Sequence, residues 1–378
     1  MRKSSFCLVL LIGICVIFSC SEKKGQEQLS NDFSLEIIDS IQVDYLGQVN
    51  AADFQKGKGL FFDRKTNTLL LFDSIGKILQ QKTFPSEGPE SVSYIGGMRF
   101  QPSGKIVVTT LVGDIALLRE DLSLERKIQM PFPTELMDMM GNARTFDFYE
   151  NKILIFYPGR NGKNPYLRDF WRENPLIEQV DLEAGKVKPM IRLSPESKHQ
   201  SDFYYERPFP KVAIHGNLLY LHLDTESLIT VYDLEKDGEL LETLDFSPSK
   251  YVQWEGQKEQ VGYVSGNFMS RARSHNVYAL PQGLIIHYDE GITQDDFMNA
   301  GLKDKNNWYK IPDIQKEYLR IYEPELGWSN EIIVPPIISM IMNIEDLDKA
   351  FYAIRSDEYL GEEQEYVTLY KLRLKRNR

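Results

Sequence analysis

Lys211-Val212-Ala213-Ile214-His215-Gly216-Asn217-Leu218-Leu219-Tyr220-Leu221-His222-Leu223 consists of two apolar runs joined by His215-Gly216-Asn217. Each run is too short for a helix and rich in Val, Ile, Leu and Tyr. Gly216-Asn217 tolerates the positive φ of a tight reversal, so the segment predicts a β-hairpin. The same layout recurs on both sides. Upstream it appears as Gly59–Asp63 with Thr68–Phe72, Gly97–Phe100 with Lys105–Thr110, and Phe146–Tyr149 with Lys152–Tyr157. Downstream it appears as Val277–Leu280 with Leu284–Tyr288, and Ile338–Met342 with Lys349–Ile354.

Most of these hairpins are followed by a second one. Examples are Ile115–Leu118 with Ser123–Ile128, Leu176–Asp181 with Lys186–Leu193, Ile229–Asp233 with Glu239–Leu244, and Tyr318–Tyr322 with Asn330–Val334. Two hairpins make a four-stranded antiparallel unit. The six units begin near residues 59, 97, 146, 211, 277 and 338. A four-stranded propeller blade takes about 40–50 residues, so the first two spacings fit bare blades and the later ones carry insertions. One such sheet cannot bury both of its faces; stacking six around an axis buries them against each other and leaves only short edges. The expected fold is therefore all-β, a six-bladed β-propeller of four-stranded antiparallel blades. Ser34–Val43 is a strand-like segment ahead of the first hairpin and is placed to close the ring by pairing with Tyr366–Leu374. Tyr251–Arg273 is the one stretch expected to be helical or irregular.

Gly88-Pro89-Glu90-Ser91-Val92, Gly97-Met98-Arg99-Phe100 and Pro102-Ser103-Gly104-Lys105-Ile106-Val107-Val108 together resemble the blade phrase of NHL-type six-bladed propellers. In layout the whole chain resembles the Bacteroidetes propeller lipoproteins of the DUF4221 family. That resemblance implies a six-bladed propeller at the cell envelope. It carries no reaction and no catalytic residue with it.

The N-terminus reads as an address. Met1-Arg2-Lys3 is a short positive region, and Phe6–Phe18 is an apolar run of 13 residues. That length suits a signal-peptide core and falls short of the roughly 20 residues of a spanning helix. Ile17-Phe18-Ser19-Cys20 resembles a bacterial lipobox, with Cys20 the thiol that receives lipid. The expected organisation is a lipoprotein signal over 1–19, lipidated Cys20 and a polar tether over 20–33, and one propeller domain over 34–378. The expected location is the cell envelope, lipid-anchored at the outer membrane.

Several function classes are excluded or weakened. The three cysteines, Cys7, Cys15 and Cys20, all lie in or beside the signal, so the domain offers no thiol for a disulfide, a zinc cluster or a nucleophile. The chain carries 44 basic against 55 acidic residues, net −11, which argues against nucleic acid. Its one basic run, Lys371-Leu372-Arg373-Leu374-Lys375-Arg376, reads as an edge strand with charged outward residues. No nucleophile elbow, phosphate loop or HExxH motif is present. No cofactor and no metal are expected.

The insertions carry the candidate binding residues. Pro158–Pro175 contributes Arg160, Arg168 and Trp171; Asp202–Pro210 contributes Tyr204, Tyr205 and Arg207. Arg271 and Arg273 precede a strand, and Trp308 lies in the insertion after Asp289. Aromatic rings and guanidinium groups in loops offer flat area and forked donors, which suits a glycan, peptide or envelope-protein partner. For each one taken singly, packing into a satellite core is the commoner role. His222 and His287 occupy matching places in successive units, Leu221-His222-Leu223-Asp224 and Ile286-His287-Tyr288-Asp289. They read first as strand residues bonded to backbone, and second as an acid–base or metal pair near the axis. Asp289, Glu290, Asp295 and Asp296 do not match an EF-hand spacing. The expected function is a lipid-anchored binding module; the alternative is a propeller lyase or hydrolase with a histidine–carboxylate site at the channel mouth.

Overall fold

The structure is a computed structural model that describes residues 30–92, 94–110, 113–130, 144, 146–156, 163, 167–205, 208–259 and 270–377. Asn31–Asn377 forms one compact unit. Six antiparallel sheets follow one another around a ring, each a meander running outward from an inner strand. The inner strands are Ala51–Gln55, Ile95–Phe100, Phe146–Tyr149, Pro210–His215, Arg273–Leu280 and Ile338–Asn343, for blades 1 to 6. The fold is the six-bladed β-propeller that the repeats predict.

The ring closes as expected. The N-terminal strand Phe33–Val43 is the outer strand of blade 6 and pairs antiparallel with Val367–Arg376, from Phe33 opposite Arg376 to Val43 opposite Val367. The basic run is therefore the third strand rather than the edge. Leu372 and Leu374 turn into the core while Arg373 and Lys375 stay exposed, and Lys375 meets Glu36 at 2.7 Å.

One other expectation shifts and one is met. The hairpin at Gly59–Phe72 is the middle of blade 1, its second and third strands; the inner strand Ala51–Gln55 precedes it. The described part of Tyr251–Arg273 is irregular, tied by one bridge between Tyr204 and Gln257. The outer strand of blade 5 is split into Gly327–Trp328 and Ile332–Val334, both pairing with Glu317–Glu323.

Apolar residues of both parities explain why the strands read as almost continuous hydrophobic runs. In blade 1, Leu69 and Leu71 face blade 2 while Leu70 and Phe72 face blade 6. Each of six hydrophobic clusters fills one blade interface. Polar ties on the inner strands then fix the ring. Asp53 accepts from Phe100 N at 2.9 Å, Arg99 pairs with Asp147, and Asp147 accepts from Ile214 N at 2.8 Å. Asp224 accepts from Ser274 N at 3.1 Å, and Asn343 donates to Phe54 O at 3.1 Å. Each tie satisfies a buried polar group that the blade's own ladder cannot reach.

The strand order decides where insertions go. Connections between first and second strands, and between third and fourth, are mostly tight turns such as Lys56-Gly57 and Gly216-Asn217. The four longest connections are 157–176, 192–209, 246–272 and 290–316, and each joins a second strand to a third or one blade to the next. In antiparallel blades around one axis, all of these emerge at the same end of the ring.

Candidate functional site

The described candidate residues of the sequence lie at that loop-bearing end, but most of them are structural there. Cys20, Arg160 and Arg207 lie outside the described residues, and Arg168 opens a short helix, Arg168–Glu173. Trp171, in the same helix, is 3% exposed; it stacks on Phe156 at 5.9 Å and meets Phe170 edge-on at 4.7 Å. It is a core residue between blades 3 and 4, because the insertion folds its apolar side down onto the ring. Tyr204 bridges to Gln257 through its backbone, and the Tyr205 ring lies 5.4 Å from the buried His199. Arg271 stacks on Trp254 at 4.5 Å. Trp308 is 38% exposed and donates from its indole nitrogen to Leu302 O at 3.1 Å. Phe203 and Tyr309 are also exposed at this end.

His222 and His287 do not meet. Along the second strand of blade 4, Leu219, Leu221 and Leu223 pack toward blade 3, while Tyr220 and His222 turn toward blade 5. In blade 5 the equivalent residue His287 shares the parity of Ile285, which packs toward blade 6. Equivalent positions are related by one blade rotation, about 60° in a six-bladed ring. Each histidine therefore faces its own interface. His222 is fully buried, its Nδ1 lies 2.8 Å from Leu228 O, and burial pushes its pKa down to about 4.

His287 has different neighbours. The inner strand of blade 5 carries a bulge between Ser274 and Asn276, so His275 is the extra residue, and the His275 and His287 rings lie 4.5 Å apart. A bulge at a strand end re-aims a side chain that regular pairing would place elsewhere. Glu317, at the start of the third strand and directly opposite Asp289, completes the group. His287 Nε2 lies 3.1 Å from Glu317 Oε2, and His275 Nε2 lies 3.7 Å from Glu317 Oε1 and 3.5 Å from Asp289 Oδ2. Arg273 Nε approaches the same Asp289 oxygen at 3.4 Å. Asp289 Oδ1 accepts from Gln315 Nε2 at 2.7 Å and from Gly291 N at 3.1 Å. Gly291 has φ +74°, and a Cβ there would sit 2.5 Å from Ala272 N, so the turn that presents this N–H requires glycine.

The electrostatics follow the enclosure. Burial pushes His275 down to about 4, and its neighbours His287 and Arg273 act the same way against Glu317. Burial also pushes Asp289 up to about 7, only partly countered by Arg273. Glu317 is also penalised by burial, but His275 and His287 outweigh that and hold it down to about 2. His275 and Glu317 remain about one-third exposed on their side chains, so the group has one open edge. His275, His287 and Glu317 each present a ligand-type atom, all within 4.8 Å of one another. Sequence reading assigned no metal ligand and missed His275 and Glu317 as partners of His287.

Among the described residues, one cleft between the inner strands is small. It is lined by Ala52, Asp53, Gly97, Arg99, Arg144 and Met342 and has about 20 Å³ of space, enough for one water. Arg144 there is committed: its guanidinium bonds to Asn343 and lies over the Tyr278 ring at 4.7 Å.

No family model and no curated protein matches this chain. Among solved structures it is similar to a DUF4221 family member from Bacteroides vulgatus, at 14% identity over 92% of this chain and 100% of that one, with a TM-score of 0.65. It is also similar to a candidate exported protein from Bacteroides fragilis, at 11% identity over 90% and 95% of the two chains, with a TM-score of 0.54. At these identities the likeness is one of fold, and a solved DUF4221 protein shares the propeller that the sequence resemblance implied.

Proposed function

We propose that this chain is a lipid-anchored propeller of the cell envelope that binds an extracytoplasmic glycan, peptide or protein through the loop-bearing end of its ring. The carrying observation is topological: the long connections emerge together, while the opposite end is built mostly of tight turns. Exposed Phe203, Trp308 and Tyr309 sit on those connections and supply flat apolar area. The lipobox-like Ile17-Phe18-Ser19-Cys20 supports the anchor. Among the described residues no helix is long and apolar enough to cross a membrane. The likeness to a candidate exported protein agrees with an envelope location.

The test is binding of the full chain carrying Cys20→Ala to glycan and peptide arrays, beside the same chain with Trp308→Ala and Tyr309→Ala. Specific capture that the double variant loses supports the reading; the absence of any capture, or capture untouched by the variant, overturns the role of this end. Cys20→Ala is also expected to move the protein from the membrane to the soluble fraction, and persistence on the membrane would refute the anchor.

A further inference from the structure

We propose that His275, His287 and Glu317 form a three-ligand site for a first-row transition-metal cation of the zinc class, with an open position for a ligand from outside the chain. This site does not rest on the binding role of the loops.

Bond lengths give the first argument. Zinc binds imidazole nitrogen and carboxylate oxygen at about 2.0–2.1 Å, so a tetrahedral ion holds its ligand atoms about 3.4 Å apart. The two histidine-to-Glu317 separations, 3.1 and 3.7 Å, bracket that value. Those separations are to the two different oxygens of Glu317; taking one ligand atom from each residue, the three lie within 4.8 Å of one another, so closing around an ion is a matter of side-chain adjustments of up to about 1 Å.

The scaffold gives the second. The three residues come from the three inner strands of one blade: His287 and Glu317 are paired in its ladder, and His275 stands at the bulge between two paired residues. Ligands on paired strands are held more rigidly than ligands on loops.

The third is an unspent lone pair. His275 Nε2 is buried and has no hydrogen-bond partner among the described residues, and the same holds for Asp289 Oδ2 beside it. Leaving such atoms unsatisfied is costly, and a cation would satisfy both, with Glu317 as ligand and Asp289 as a neighbouring negative charge.

The donor set selects the class of ion. Two imidazoles and one carboxylate suit zinc, iron, cobalt, nickel or copper, whereas magnesium and calcium take oxygen ligands. Three protein ligands leave the coordination incomplete, and the partly exposed edges of His275 and Glu317 lie where a water or an anionic group would complete it.

Zinc alone, titrated by calorimetry into the metal-stripped, tag-free full chain, tests this. One ion per chain is expected, insensitive to a large excess of magnesium. His287→Ala and Glu317→Gln are each expected to weaken it by about tenfold or more, while His215→Ala, at an exposed turn, leaves it unchanged. Glu317→Gln keeps a hydrogen-bonding group opposite His287, and unchanged circular dichroism confirms that its fold is intact. The proposal is overturned by the absence of saturable one-to-one binding, by binding that magnesium displaces, or by binding that survives both ligand substitutions.

Discussion

Leu221-His222-Leu223-Asp224 and Ile286-His287-Tyr288-Asp289 end the second strands of blades 4 and 5, at the same end of the ring and one blade apart. In sequence they are nearly the same phrase, yet their surroundings differ. In blade 4 the phrase is closed. Asp224 lies 3.4 Å from the buried Lys211 ammonium and accepts from the Ser274 N–H and hydroxyl of the next blade. His222 sits edge-on to Phe246, and Ile229 stands opposite it on the third strand. In blade 5 the phrase is also buried but borders a partly exposed group. Asp289 stands opposite Glu317 and faces Arg273, where Asp224 has a buried lysine, and it also faces the bulged His275. His222 Nε2 has no hydrogen-bond partner among the described residues, whereas His287 Nε2 has the Glu317 carboxylate within ligand distance. A short polar phrase on a blade thus acquires its role from the strands on either side of it and from the blade it faces.

The largest test of that contrast is stability. Asp224→Ala strands the Lys211 charge in the interior and is expected to cost about 3–5 kcal/mol in urea denaturation at neutral pH. Asp289→Ala removes a carboxyl whose burial already opposes ionisation, and is expected to cost at most about 2 kcal/mol. Equal losses would break the comparison.

The next is its pH dependence. His222 has a native pKa of about 4 against an ordinary value of 6.5, so between these the unfolded chain binds more protons. Its contribution is present above pH 6.5 and is lost as the pH falls toward 4. It amounts to roughly 3 kcal/mol, and His222→Phe should flatten the curve by about that much. Asp289 has the opposite sign. Its native pKa of about 7 lies above the ordinary 3.8, so stability falls as pH rises from 3.8 to 7, and Asp289→Asn should remove that fall. Denaturation midpoints measured from pH 4 to 8 separate the two; parallel profiles for both variants would show that the phrases are equivalent.

The smallest effect expected is on melting. Zinc at about one hundred times its dissociation constant stabilises by about 2.7 kcal/mol, a rise of about 2–4 °C for a chain of this size. His222→Phe should keep that rise and His287→Phe should lose it. A rise that follows His222 instead would place the ion between blades 4 and 5.

Much of the fold was legible because a propeller repeats one local solution. Alternating residues of both parities are apolar, as at Leu69–Phe72, so strands and their turns announce themselves. Ring closure was legible because a strand precedes the first hairpin. Blade 1 was read out of phase because Ala51–Gln55 is short and carries Asp53, whose purpose is to hold the next blade at Phe100. Trp171 was misjudged as a presented residue because its loop position hid the fold-back onto Phe156. His275 could have been placed on the strand beside His287 by pairing across the turn at Gln282, but regular register puts Asn276 opposite His287 and only the bulge turns His275 toward it. Glu317 could not, since it returns only after the connection 290–316.

The sequence by itself determined the blade count, the closure of the ring and the lipobox-like start, because each depends on residues adjacent in the chain or on a regular repeat. Only the tertiary structure decided that His222 is sealed and His287 stands with His275 and Glu317. Which side chains meet across a blade interface depends on strand register, one bulge and the identity of the facing blade, and none of these is a property of the local phrase.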